Sequence, residues 1–142
     1  MNRKSLSLAA LASTLMATAL SAQAQTEIMW WHSMTAFNNE WVNTLAKQFN
    51  ESQKTYKVTP IYKGSYDESM TAAIAAFRAG NAPHILQVFE VGTATMMASK
   101  GAIVPAGKVM ADAGKKFDAN AYIAAVAGYY TAPNGQMLSL PF

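Results

Sequence analysis

Hydrophobic and polar positions along the chain alternate between two periods. Glu27–Trp31, EIMWW, predicts a first strand. Phe37, Trp41, Leu45 and Phe49 then recur four apart, the spacing of one helical face, and predict a helix over residues 35–50. KVTPIY, Lys57 to Tyr62, predicts a second strand, and Pro60 inside it points to an edge position or a bulge. The next helix has clear ends. Ser65 and Glu68 form an S-x-x-E capping box at its start, and Met70, Ile74 and Phe77 line one face. Gly80 is placed for a left-handed cap, and Pro83 forbids continuation. Ile85 to Phe89 predicts a third strand that ends on a single carboxylate, Glu90. A short helix is expected from Thr93 to Lys100, closed by Gly101, with weaker helical stretches near 108–113 and 119–126. The last stretch, YYTAPNGQMLSLPF, reads as strand, Pro-Asn-Gly turn and strand, with an open apolar edge after Leu138-Ser139-Leu140.

Strand and helix in regular alternation predict an α/β fold with a mostly parallel sheet. Ligands of such sheets gather beyond the carboxyl ends of the strands. That rule singles out three loops: WHSMT, KGSYDE and EVGTA. Each leads into a helix amino terminus, where unpaired N–H groups and the helix dipole favour anions.

The amino end has a different character. Arg3 and Lys4 precede an alanine-rich apolar run, Leu6 to Leu20, and Ala22-Gln23-Ala24 supplies an A-x-A cleavage site. Residues 1–24 therefore read as a secretory signal, and 25–142 as the exported part. Cleavage would remove two of the 11 basic residues, leaving nine against eight acidic ones and a net charge of +1 rather than +3. The charge balance then gives no reason to expect a nucleic-acid partner. With no cysteine in the chain, a disulfide framework and a lipid-anchored cysteine are both excluded. The apolar strand end at Phe142 is read as that of an incomplete domain.

The residue inventory argues against catalysis. His32 and Ser33 are adjacent, so on an extended segment their side chains point to opposite faces. There is no G-x-S-x-G elbow and no G-x-x-x-x-G-K-[ST] phosphate loop. The two histidines, His32 and His84, lack metal-ligand spacing, and no cofactor or metal site is expected. GSYDES resembles a calcium loop only superficially, since the capping box already explains Glu68. From the residues alone, Glu90 is either a ligand contact or a charge that favours the following helix terminus.

WWHSMTAFNNEWVNTLAKQFNES, followed by YKGSYDESMTAAIAAFRAGNAPHILQVFEVGTATMMASKGAI, resembles the amino-terminal part of a family 1 extracellular solute-binding protein. YKGSY, AFRAGNAP and QVFEVGTATMMASK carry the resemblance most specifically. It implies a periplasmic binding protein type II-like fold with two lobes around a ligand cleft, of which 25–142 would be an incomplete first lobe. It also implies a periplasmic component that delivers sn-glycerol-3-phosphate, and related glycerophosphodiesters, to the inner-membrane permease of an ABC importer. Two residues carry over as ligand contacts. Glu90 would accept hydrogen bonds from glycerol hydroxyls, and Tyr66 would donate to a phosphate oxygen. His32 and Ser33, on a cleft loop, are weaker ligand-binding candidates. A sugar or oligosaccharide ligand on the same fold is the first alternative, and a secreted hydrolase the second.

Overall fold

The computed structural model describes residues 24–99, 101–116 and 118–142. The signal segment read over 1–24 lies outside the described residues except for Ala24. Among the described residues no helix is long and apolar enough to cross a membrane.

The chain runs β1 (Thr26–His32), α1 (Ala36–Ser52), β2 (Tyr56–Tyr62), α2 (Tyr66–Arg78), β3 (Ile85–Leu86), α3 (Glu90–Ala98), α4 (Ala106–Asp112), a 3₁₀ turn (Ala119–Ala121) and α5 (Ala124–Tyr129). The three strands form one sheet in the order β2-β1-β3, and both pairings are parallel. The expected α/β architecture is therefore present. β1 and β2 pair over seven residues, from Thr26 opposite Tyr56 to His32 opposite Tyr62. β3 contributes two pairs, Ile85 with Trp30 and Leu86 with Trp31.

Pro60 lies in β2, which is an edge strand, and the ladder runs through it without a bulge. Side-chain amides from the preceding helix and turn occupy the outer edge of β2. Gln53 accepts the Tyr56 N–H at 2.7 Å through Oε1, and its Nε2 donates to the Tyr56 carbonyl at 2.7 Å. Asn50 treats Val58 the same way, at 2.7 and 2.8 Å. Each amide offers one donor and one acceptor side by side, as a neighbouring strand would. His84 does the same for β1 just ahead of β3: its N–H donates to the Met29 carbonyl and its Nδ1 accepts the Met29 N–H, both at 3.1 Å.

The helices bury small residues. α1 encloses Val42 and Ala46, and α2 encloses Ser69 and Ala73. The larger apolar residues assigned to the inner faces lie beside these stripes instead. Phe37, Trp41 and Phe49 are exposed, as are Ile74 and Phe77. Small inner residues let a helix backbone sit close to the sheet, so the true contact stripe is displaced by about one position from the bulky one. Part of the aromatic stripe of α1 is covered by Phe142, whose ring stacks on Trp41 at 5.0 Å and meets Trp30 edge-on at 5.2 Å.

Three expected elements differ. The third strand, read over Ile85–Phe89, keeps its ladder only through Leu86, with one further bond from the Gln87 N–H to the Trp31 carbonyl at 2.9 Å. β1 ends at His32, so Val88 and Phe89 have no partner strand to pair with. The following helix starts at Glu90 rather than Thr93, because the Phe89 carbonyl already accepts the Thr93 N–H at 3.1 Å. At the far end, Tyr129 closes α5 instead of opening a strand, and the expected hairpin is reduced to one antiparallel bridge, Thr131 with Met137. Its turn is closed by a bond from the Gly135 N–H to the Ala132 carbonyl at 2.9 Å, with Gly135 at φ +82°.

Candidate functional site

The loops beyond β2 and β3 converge at the start of α2 and α3. Gly64, at φ +81°, turns the chain out of β2; a Cβ there would also run into the Glu68 carboxylate. Ser65 then caps α2 through a complete capping box. Its Oγ accepts the Glu68 N–H at 3.3 Å, and the Glu68 carboxylate accepts the Ser65 N–H at 2.7 Å. That backbone bond, followed by the Ser65 hydroxyl, holds the Glu68 carboxyl below its ordinary range. The box has a positional effect: it makes Tyr66 the first residue of the helix.

Tyr66 is half-buried, and its ring lies against Phe89 with centroids 5.4 Å apart and planes tilted by 32°. Below this pair is a groove of about 370 Å³ lined by Tyr66, Asp67, Met70, Phe89, Gly92 and Thr95. α2 and α3 approach closely at Gly92, where a Cβ would stand 3.0 Å from Cε at the flexible tip of Met70. Glu90 follows Phe89 directly, is exposed, and is the one acidic residue in the first turn of α3. The structure thus brings Tyr66 to the residue next to Glu90, as two helix starts that meet at the carboxyl edge of a parallel sheet. The groove itself combines an apolar wall, the Tyr66 residue and the Asp67 side chain; Glu90 is not in its lining and adjoins it through Phe89.

His32 and Ser33 do not join this groove. His32 is only 1 % exposed, between the Trp30 ring at 6.2 Å and the Tyr62 ring at 6.1 Å. Burial pushes its imidazole below the ordinary histidine value, and its Nδ1 has no partner among the described residues. Ser33 donates its N–H to Gln87 Oε1 at 3.0 Å, which ties the end of β1 to the segment after β3, while its Oγ is enclosed without a partner. The Lys63 ammonium lies 4.0 Å from the centroid of the Trp31 ring, at the carboxyl end of β2.

Two residues at this site escaped the sequence reading. Phe89, expected as the last residue of a strand, is a groove wall and the cap position of α3. Tyr129, expected in a strand, donates its hydroxyl to the Glu90 carbonyl at 2.6 Å. Neither contact has a local signal, since the Tyr129 bond spans 39 residues. Arg78 is where its position suggests, exposed in the last turn of α2 and at the end away from the groove. Among the described residues no group of three or more histidine, cysteine or acidic side chains could hold a metal ion.

No protein-family model matches the chain. Individual curated proteins do. The chain is 54 % identical over 121 residues, 85 % of its length, to the sn-glycerol-3-phosphate-binding periplasmic protein UgpB of Brucella abortus. It is 52 % identical over 124 residues to the protein of the same name from Rhizobium meliloti, and 55 % identical over 123 residues to that from Yersinia enterocolitica. Over these spans the chain is similar in sequence to proteins named as periplasmic binding proteins. It spans about 28 % of the length of the Brucella relative, and similar shares of the other two. All three are named as binding proteins.

Proposed function

We propose that this chain belongs to the periplasmic substrate-binding component of an ABC importer, that it binds sn-glycerol-3-phosphate without altering it, and that it hands the ligand to inner-membrane permease subunits. The observation that carries this reading is the 54 % identity across 85 % of the chain to a relative named for that ligand. The groove between α2 and α3, lined by Tyr66 and adjoined by Glu90 through Phe89, supports it chemically. The Tyr66 hydroxyl is a donor suited to a phosphate oxygen, and the Glu90 carboxylate is acceptor-only and suited to glycerol hydroxyls. A carboxylate repels phosphate, so in this reading the ligand lies with its hydroxyl end toward Glu90 and its phosphate at the Tyr66 hydroxyl, clear of the Asp67 side chain that also lines the groove. Glycerophosphodiesters share both features and fall within the same proposal.

Residues 1–24 act in this reading as a cleaved export signal, so the periplasmic protein begins at Gln25. Intact-mass measurement of exported protein checks this, and retention of Met1 would contradict it. A second lobe, closing over the ligand as binding proteins of this kind do, completes the site. The function is tested by calorimetric titration of the full-length, two-lobed protein of this proposal with sn-glycerol-3-phosphate, followed by recovery of the ligand. Saturable binding with unchanged ligand is expected, whereas residues 25–142 alone should bind negligibly. Turnover of the ligand, or displacement by maltose-type sugars in preference to glycerol-3-phosphate, would overturn it.

A further inference from the structure

The first turn of α3 has little of its own to hold it. Its cap residue, Phe89, has no side-chain oxygen and makes no capping bond. Gly92 falls in that turn, and glycine inside a helix is destabilising relative to alanine. The helix has nine residues, too few to be stable alone in water. Two restraints come from side chains. Thr93, 2 % exposed, returns its Oγ1 to the Phe89 carbonyl at 3.2 Å. Tyr129 reaches in from α5 and donates its hydroxyl to the Glu90 carbonyl at 2.6 Å, the short end of the range for an O–H···O bond.

We propose that Tyr129 is a positioning residue for Glu90: its hydroxyl, bound to the Glu90 carbonyl, holds the first turn of α3 so that the Glu90 carboxylate faces the ligand hydroxyls. The ligand part of this inference rests on the function proposed above. Carbonyl and carboxylate share one α-carbon, so anchoring the peptide group fixes the direction in which the side chain leaves the helix. The Tyr129 ring is placed separately, edge-on to Tyr130 at 5.1 Å. α5 is in turn tied down by the Thr131 Oγ1 bond to the Ala127 carbonyl at 2.7 Å and by the Leu138 N–H bond to the Tyr130 carbonyl at 2.9 Å. Tyr129→Phe therefore deletes the bond to Glu90 and keeps the ring contact.

The test uses the full-length, two-lobed protein and two readouts. Amide hydrogen exchange at Thr93 and Ala94 should speed up about fivefold in Tyr129→Phe, the size of one ordinary hydrogen bond, with amides of α1 and α2 unchanged. Titration with sn-glycerol-3-phosphate should show Kd raised about fivefold by Tyr129→Phe, with no further rise when it is added to Glu90→Gln. Tyr130→Phe, which leaves the Glu90 bond in place, should match the parent in both. Unchanged exchange at Thr93 and Ala94 overturns the inference. So does a loss of affinity from Tyr129→Phe that is equal in the parent and in the Glu90→Gln variant, or an equal effect from Tyr130→Phe. A full-length parent that binds no glycerol-3-phosphate overturns the functional reading instead, and the exchange rates still decide whether Tyr129 holds α3.

Discussion

Glu90→Gln separates two roles that one carboxylate can play. The substitution keeps shape and removes charge. If Glu90 serves only the amino terminus of α3, its loss is a stability effect. An exposed acid in a first turn contributes about 0.3–1 kcal/mol. Glu90 is exposed and is the one acid in that turn, so this range applies to it without enhancement from burial. A change of about 1 kcal/mol moves the Tm of a larger domain by roughly 2–4 °C, so the expected loss is at most a few degrees. If Glu90 accepts hydrogen bonds from ligand hydroxyls, the larger effect is on affinity. Hydrogen bonds to charged groups are worth about 1.5–3 kcal/mol, and every 1.4 kcal/mol is tenfold in Kd. Glutamine retains one carbonyl acceptor, so the lower part of that range applies and Kd should rise about tenfold. Calorimetric titration of the full-length, two-lobed protein with sn-glycerol-3-phosphate, beside a thermal melt, reads both quantities. A lowered Tm with unchanged Kd would refute the ligand role and leave Glu90 as a helix-terminus charge.

Other substitutions probe the same arrangement. Tyr66→Phe should weaken sn-glycerol-3-phosphate by about 1 kcal/mol while sparing plain glycerol, because only the hydroxyl is deleted; equal losses in parallel titrations would mean that the ring alone matters. Ser65→Ala removes the cap that places Tyr66 and should cost about 1 kcal/mol of stability in denaturant titration, and an unchanged midpoint would show the box to be idle. His32 is neutral and buried, and its folded-state value lies below its unfolded value near 6.5. The unfolded chain therefore binds more protons between the two, so stability is complete above about pH 6.5 and falls as the pH drops toward the folded value. Melts at pH 7.5 and 5.5 should show the loss, and His32→Phe should lessen it; an identical pH slope in parent and variant would remove His32 as its source.

What could be read from the residues alone was local. The Ser65–Glu68 box, the left-handed Gly80 at φ +74° and the edge position of Pro60 each follow from chemistry within a few residues of chain, and each is present. Gly80 closes α2 as the motif requires: its own N–H reaches the Phe77 carbonyl at 3.1 Å and the Asn81 N–H reaches the Ala76 carbonyl at 2.9 Å. Packing was less legible. Periodicity weights bulky residues, so Met70, Ile74 and Phe77 drew the inner face away from Ser69 and Ala73, which fill it. The end of β3 depends on where β1 runs out of partners, a fact of pairing that the apolar run Ile85–Phe89 does not contain. At the candidate site, Tyr66 and Glu90 were suggested by the family resemblance, whereas Tyr129 was not, because a hydroxyl meeting a distant carbonyl leaves no trace in local spacing.

The amide pairs on β2 also decide how this sheet can combine with other chains. A free strand edge invites a further strand, whether native or stray. On the β2 side the invitation is withdrawn: Tyr56 and Val58 have already spent their outward N–H and carbonyl groups on Gln53 and Asn50, and Pro60 has no N–H to offer. No comparable set of side chains covers β3 among the described residues, and Ile85 is exposed there. The sheet is accordingly one-directional. Any strand that joins it, in correct assembly or in aggregation, must enter beside β3, so a charge or proline introduced near Ile85 would change how the protein associates, while the same change on β2 would alter little.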